Sequence, residues 1–261
     1  MGSLTFDGVT STELGLIIDG YFSRGVAQRK LSKVPIPGGN GDRIMSQEAF
    51  ENVQESYIAY WLDQGQPEYN DLKFQAIVDW MKDDGYYRLT NSDYPSHFWM
   101  AKAIAPTEDQ IVNYRDCFHS VPLIFDRKPQ CFLDSGDEAQ AFDQSSGGPS
   151  ETGWSFDIYN PTKQKSKPHI LVNLVTAGSQ IASSVLISVS GKTFQVTPPS
   201  GITEFEIDCE REQCYVDRAG IITNLSMYTA GPYIELPPGW VSVGIGTGIQ
   251  TITITPRWWE R

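Results

Sequence analysis

The stretch Lys33 to Ile44, KVPIPGGNGDRI, is the first place in this sequence where residue types and spacing could do chemistry. Gly38, Gly39 and Gly41 followed by Arg43 look like a loop that cradles phosphate. Such a loop needs a strand before it, a helix after it, and a Lys followed by Ser or Thr, so that backbone N–H groups and a cation converge on one anion. Asp42 and Arg43 stand where that lysine and hydroxyl are required, and Pro35 and Pro37 interrupt the strand that should lead in. The competing reading is a long β-arm whose Gly-Gly-Asn-Gly tip supplies the positive φ angles of a reversal. It places Val34, Pro35, Ile36, Pro37, Gly38, Gly39, Asn40, Gly41, Asp42 and Arg43 on one arm.

Catalytic patterns are lacking elsewhere. His97, His119 and His169 each stand alone, away from any ligand cluster, and there is no GxSxG elbow or HExxH helix. Asp83 and Asp84 are adjacent at the end of a helical stretch, which makes a solvated helix end and not an acid/base pair. The expectation is therefore no enzyme, no cofactor and no metal; a glycosidase would need carboxylates brought together from distant strands. Cys117, Cys131, Cys209 and Cys214 form no CxxC pair or zinc spacing and read as free thiols, with a Cys209–Cys214 disulfide or a metal site as the alternative. Trp154, Trp240, Trp258 and Trp259 are the remaining candidates. Sugars stack on exposed indoles, and Trp154 and Trp240 are the positions proposed to face saccharide; the competing reading is that these rings fill core volume.

The elements that would carry these residues are mostly strands. Leu14 to Asp19, Tyr21 to Val26 and Ser56 to Trp61 are strand-like, and Leu72, Ala76, Ile77, Trp80 and Met81 fall at helical spacing between Asn70, a candidate cap, and Gly85. Tyr86 to Leu89, Phe98 to Ile104 and Cys117 to Phe125 return to strand, the last to be stopped by Pro129. The run from Asp134 to Gly153 is polar and reads as a linker. Seven short strands follow: Ile170 to Val175, Val185 to Ser190, Phe194 to Thr197, Phe205 to Cys209, Tyr233 to Leu236, Val241 to Ile245 and Ile249 to Thr255. Their alternation, as at Val185, Ile187 and Val189, predicts a two-sheet sandwich. The fold class is mainly β. Residues 1–133 form an N-terminal β-sandwich-like domain with one helix and the extended arm, 134–153 a linker, and 154–261 a C-terminal β-sandwich.

Charge bounds the partners. With 261 residues and a net charge of -12, the chain lacks the basic stripe that nucleic-acid adhesion requires, although an acidic surface suits a conduit through which DNA slides without specific binding. The opening MGSLTFDGVTSTELGL has neither a basic n-region nor an apolar span, so the expectation is synthesis in a cytoplasm and no membrane insertion.

Several motifs resemble, in order, one family. They are Phe6-Asp7-Gly8 with Leu14-Gly15-Leu16, the VPIPGGNGD arm, the helix ending Trp80-Met81, and HSVPLIFDRKP. In the second half come Tyr159-Asn160-Pro161-Thr162, Pro168-His169-Ile170, Ile207-Asp208-Cys209-Glu210, Leu236-Pro237-Pro238-Gly239 and the closing ITPRWWER. Together they resemble the distal tail (Dit) proteins of long, non-contractile-tailed phages of Gram-positive hosts. The arm tip differs: the family often reads Val-Pro-Gly-Arg-Asn-Gly, and here no arginine stands between the glycines. The resemblance implies a structural hub at the virion tail tip, made in the bacterial host cytoplasm. It implies a homo-hexameric ring of N-terminal domains around a channel, with galectin-like or carbohydrate-binding-module-like C-terminal sandwiches outside. The ring would join the tail tube protein to a tail-associated lysin or fibre protein, and the outer domain would carry a receptor-binding protein or meet host saccharide. Within it, the arm from Val34 to Arg43 would reach the next protomer, and a carbohydrate-binding protein contacting cell-wall saccharide is the alternative function.

Overall fold

The computed structural model describes residues 2–19, 25–82, 84–114, 117–143, 153–175 and 184–261. The chain divides into two compact units, Met1–Cys131 with Arg261 and Phe132–Glu260. Of the expected features, most of the Tyr21 to Val26 strand, Asp83, and residues 144–152 of the polar run lie outside the described residues.

The first unit contains β1 (Leu4–Phe6), β2 (Val9–Thr10), β3 (Ile17–Ile18), β4 (Arg29–Pro35), β5 (Asp42–Phe50), β6 (Val53–Leu62), α1 (Pro67–Trp80), β7 (Tyr87–Asn91), β8 (His97–Ile104), β9 (Val112–Tyr114) and all but the last two residues of β10 (Phe118–Leu133). All these strands except β4 and β5 belong to one sheet, ordered β2-β1-β7-β8-β10-β6-β3, with β9 also paired to β10. In β6 the alternation is strict: Val53, Glu55, Tyr57, Ala59 and Trp61 are buried while Gln54, Ile58 and Leu62 are exposed. The register sets Ala59 opposite Val121 and Tyr57 opposite Leu123, which builds one apolar sheet face. Helix α1 contributes Ile77, Trp80 and the following Met81 to the same core, and the Trp80 indole donates to the Phe6 carbonyl at 3.2 Å.

Four local expectations are corrected here. The helix starts earlier than Asn70, because Pro67, whose missing N–H costs nothing in a first turn, occupies its start. The Asn70 amide is used otherwise, accepting from the Trp61 indole and donating to Asp63. Leu72, read as part of the buried stripe, is exposed. The Leu14 to Asp19 strand shrinks to Ile17–Ile18, and β10 runs on through Pro129. Pairing with β6 ends at Arg127 opposite Val53, so the missing N–H of Pro129 removes no ladder bond to that strand.

The second unit comprises α2 (Asp134–Asp137), β11 (Gln140–Asp143), β12 (Trp154–Asn160), β13 (His169–Leu174), β14 (Val185–Val189), β15 (Lys192–Val196), β16 (Glu204–Asp208), β17 (Gln213–Arg218), β18 (Ile221–Asn224), β19 (Thr229–Ala230), β20 (Gly239–Ile245) and β21 (Ile249–Thr255). They make a six-stranded sheet, β11-β21-β13-β16-β17-β18, and a five-stranded one, β12-β20-β14-β15-β19. The inward residues of both form one core, as a sandwich requires. The stretch read as linker is in part structure: Ala141 and Phe142 pair with Thr253 and Ile252, and the Phe142 ring stacks on Phe156 at 3.8 Å. That apolar anchor outweighs the polar composition around it. Conversely, Tyr233 to Leu236 is not a strand. Pro232, Pro237 and Pro238 bracket it, and only Leu236 makes a bridge, to Ser166.

Candidate functional site

Strands β4 and β5 pair with each other in a two-stranded sheet of their own. Lys33 faces Ile44, Val34 faces Arg43, and Pro35 faces Asp42. At the tip the Gly39 N–H donates to the Ile36 carbonyl at 3.1 Å, and Gly38 has φ of +72°. With Pro37 before it, this is the arrangement of a type II turn, which needs positive φ at its third residue. Gly41 follows at φ of +86° and leads directly into β5. No helix begins after the glycines and Arg43 lies inside a strand, so the phosphate-loop reading is excluded. The glycines turn the chain.

The arm exposes aliphatic side chains on both faces. Leu31, Lys33 and Ile44 share one face by register, and Val34, Arg43 and Met45 share the other. Ile44 is 61% exposed and Met45 51%, with Leu31, Val34 and Ile36 also exposed. An isolated two-stranded hairpin is marginal in water, and this one also leaves aliphatic side chains wet on two sides.

The remaining candidates are scattered. His119 is buried, stacked on Trp61 at 5.2 Å with Nε2 3.4 Å from Asp63. The Asp63 carboxyl sits below its usual range because Asn70 and the Gly65 amide donate to it. His169 lies 2.9 Å from Glu206, and His97 contacts its neighbour Ser96. Cys117, Cys209 and Cys214 are free thiols, and burial pushes those of Cys209 and Cys214 up to about 12. Among the described residues no three His, Cys, Asp or Glu side chains converge as metal ligands.

The two tryptophans expected to face saccharide part company. Trp154 packs against the second-unit core with its indole nitrogen buried, because its strand position points between the sheets. Trp240 is 76% exposed and lies 5.2 Å from the Tyr159 ring. Sequence reading missed Tyr159 as a companion, since only the register of β12 against β20 brings the two together. Trp258 enters the second-unit core, whereas Trp259 is half-buried and donates to the Lys165 carbonyl at 2.9 Å. A shallow pocket lies near that carbonyl, lined by Val189, Ile234, Pro237 and the Lys165–Glu235–Lys192 ion pairs.

No family model matches the chain, and no curated protein matches it. Among solved structures it is similar to the crystal structure of SPP1 Dit (gp 19.1), described as a paradigm of the hub adsorption apparatus in phages that infect Gram-positive bacteria. The TM-score is 0.68 at 14% identity, over 97% of this chain and 98% of that one. At that identity the likeness is one of fold. It is the fold that the resemblance of the sequence motifs implies.

Proposed function

We propose that this chain is a structural hub of a phage tail tip, a ring of first units closed by the β4–β5 arm of each protomer lying on the next. The observation that carries the reading is the arm itself. It has a sheet to itself and aliphatic side chains exposed on both faces, a combination that gains stability against another chain. Its charge fits a second copy as the partner. From Arg29 to Phe50 it carries Arg29, Lys30, Lys33 and Arg43 against Asp42 and Glu48, while the whole chain has a net charge of -12. A basic arm on an acidic protein is complementary to the surface of its own neighbour, and a head-to-tail contact of this kind forms a ring where its rotation closes.

On this reading the ring is a hexamer that joins the tail tube to the tail-associated lysin or fibre protein, with DNA passing an acidic channel and the second units outward to carry receptor-binding components. Whole-chain fold similarity to a phage adsorption hub supports it. The test is native mass spectrometry of the full chain over a range of concentrations, beside a variant in which Gly38 to Gly41 are replaced by a short turn. A discrete ring lost in the variant is the expected result. A ring that persists without the tip, or a strict monomer at every concentration, counts against the arm as its closure.

A further inference from the structure

The outer face of the five-stranded sheet carries an aromatic pair that the hub role does not use. Tyr159 on β12 and Trp240 on β20 are register partners, 51% and 76% exposed, with rings 5.2 Å apart at 49°. An indole this exposed contributes little to the core, so packing does not account for it. The pair is also rigidly held. Tyr159 precedes Asn160 and Trp240 follows the Leu236-Pro237-Pro238-Gly239 turn, and buried Asn160 ties these segments together. Its amide nitrogen donates to the carbonyls of Gln164 and Leu236, at 2.9 and 3.0 Å, and its oxygen accepts from the Thr162 amide and hydroxyl. Gly239, at φ of +85°, makes the corner from which Trp240 emerges. A platform fixed in this way loses little conformational entropy when something settles on it.

The residues beside the pair identify the chemistry. Along the same outward face, Asp157 pairs with Ser242, and Ser155 and Ser188 flank Gly244. Hydroxyls and one carboxylate next to stacked aromatic planes match a pyranose, whose C–H face stacks while its hydroxyls exchange hydrogen bonds. A protein partner would call for an apolar centre, and Leu186 is the one large aliphatic exposed on this face among the described residues. The outward positions of β12, β14 and β20 carry no lysine or arginine, which disfavours phosphate-bearing polymers and nucleic acid. We infer that the outer face of the five-stranded sheet is a binding site for a neutral, hexopyranose-containing glycan, with Trp240 and Tyr159 as its stacking platform and Asp157 and Ser242 as hydroxyl partners. The site does not depend on ring assembly.

The experiment uses the full-length protein labelled with 5-fluorotryptophan, the Trp240 resonance being assigned by its loss in Trp240→Phe. Cellohexaose, maltohexaose and chitohexaose are titrated in turn, with polygalacturonate as the anionic comparison. At least one neutral hexamer is expected to shift the Trp240 resonance, and Trp240→Ala is expected to weaken that binding by at least about tenfold. The ring being exposed, Trp240→Ala should unfold at the wild-type temperature, and Tyr159→Ala should weaken the same binding. No Trp240 shift with any neutral probe, or unchanged affinity in Trp240→Ala, overturns the proposal. A resonance that moves with protein concentration alone also overturns it, in favour of an interface between copies of this chain.

Discussion

Arg257 holds Asp208 with both guanidinium nitrogens, Nη1 at 2.8 Å from Oδ1 and Nη2 at 3.2 Å from Oδ2, and the same carboxylate accepts from the amides of Glu210 and Arg211. Arg257 does this from a left-handed backbone position, φ of +56°, which a residue with a Cβ seldom adopts. The kink reverses the chain after β21, so that Arg257 N–H bonds Gly136 and the next residue, Trp258, enters the core. The closing PRWW motif is thus a clasp of the second unit: the arginine is spent on a structural pair and one tryptophan on packing.

Burial alone would raise the Asp208 carboxyl, but the hydrogen bonds from Arg257 and the two amides outweigh it and hold the group below the ordinary carboxylate range. A carboxylate with a lowered folded-state pKa stabilises the fold above its unfolded pKa of about 3.9 and loses that contribution as pH falls through the folded value. Asp208→Asn should therefore cost about 3 kcal/mol near neutral pH, and the gap to wild type should close as the pH is lowered through that window. Thermal unfolding of both proteins across this range checks it. Arg257→Lys, which keeps the charge but loses the fork, should fall between wild type and Asp208→Asn.

Gly136 is buried where the backbone of Trp258 passes: a Cβ built there lies 2.3 Å from the Trp258 nitrogen and 3.0 Å from its Cα. A methyl group cannot be taken up by a side-chain swing, since the obstacle is main chain. Gly136→Ala should destabilise the protein by about 2–3 kcal/mol, a cost of overpacking that chemical unfolding can read. Gly8→Ala is the control for inserting a methyl group into open space, because nothing stands within 4 Å of its Cβ position, although its φ of +79° carries a smaller backbone cost.

Much of this architecture is legible in the chain, and the exceptions have physical causes. Strands with one buried face announced themselves, as Val185, Ile187 and Val189 did. β18 did not: Ile221 and Ile222 are both exposed, so no alternation marks it, and pairing with β17 alone makes it a strand. The arm was readable because glycine and proline at fixed offsets specify a turn whatever surrounds them. The Tyr159–Trp240 pair was not, because it is created by register between strands about 80 residues apart, which local pattern rules cannot see. Trp154 and Trp240 look alike in sequence and differ only in which way their strands present them.

Thiol reactivity should divide by position. Burial pushes Cys209 and Cys214 up to about 12, leaving almost no thiolate near neutral pH, whereas Cys117 is exposed. An Ellman titration of the native protein should find Cys117 fast, and Cys209 and Cys214 silent until denaturant is added. Rapid native labelling of all four would mean that the β16–β17 corner opens readily.

The arm makes a salt-dependent prediction that separates its two contributions. If its cations meet the acidic surface of a neighbour, charge reversal at Lys30, Lys33 and Arg43 should prevent ring formation while leaving each protomer within about 0.5 kcal/mol of wild-type stability, since surface changes away from packed features cost little. Salt at about 1 M, where the screening length is about 3 Å, should weaken the wild-type ring without dissolving the apolar contacts. Ile44→Asp with Met45→Asp should remove those contacts, one on each face, and abolish assembly at any salt concentration. Light scattering of the three proteins at low and high salt gives the comparison. A ring indifferent to the charge reversals but lost with Ile44 and Met45 would place the apolar faces, and not the cations, in control of closure.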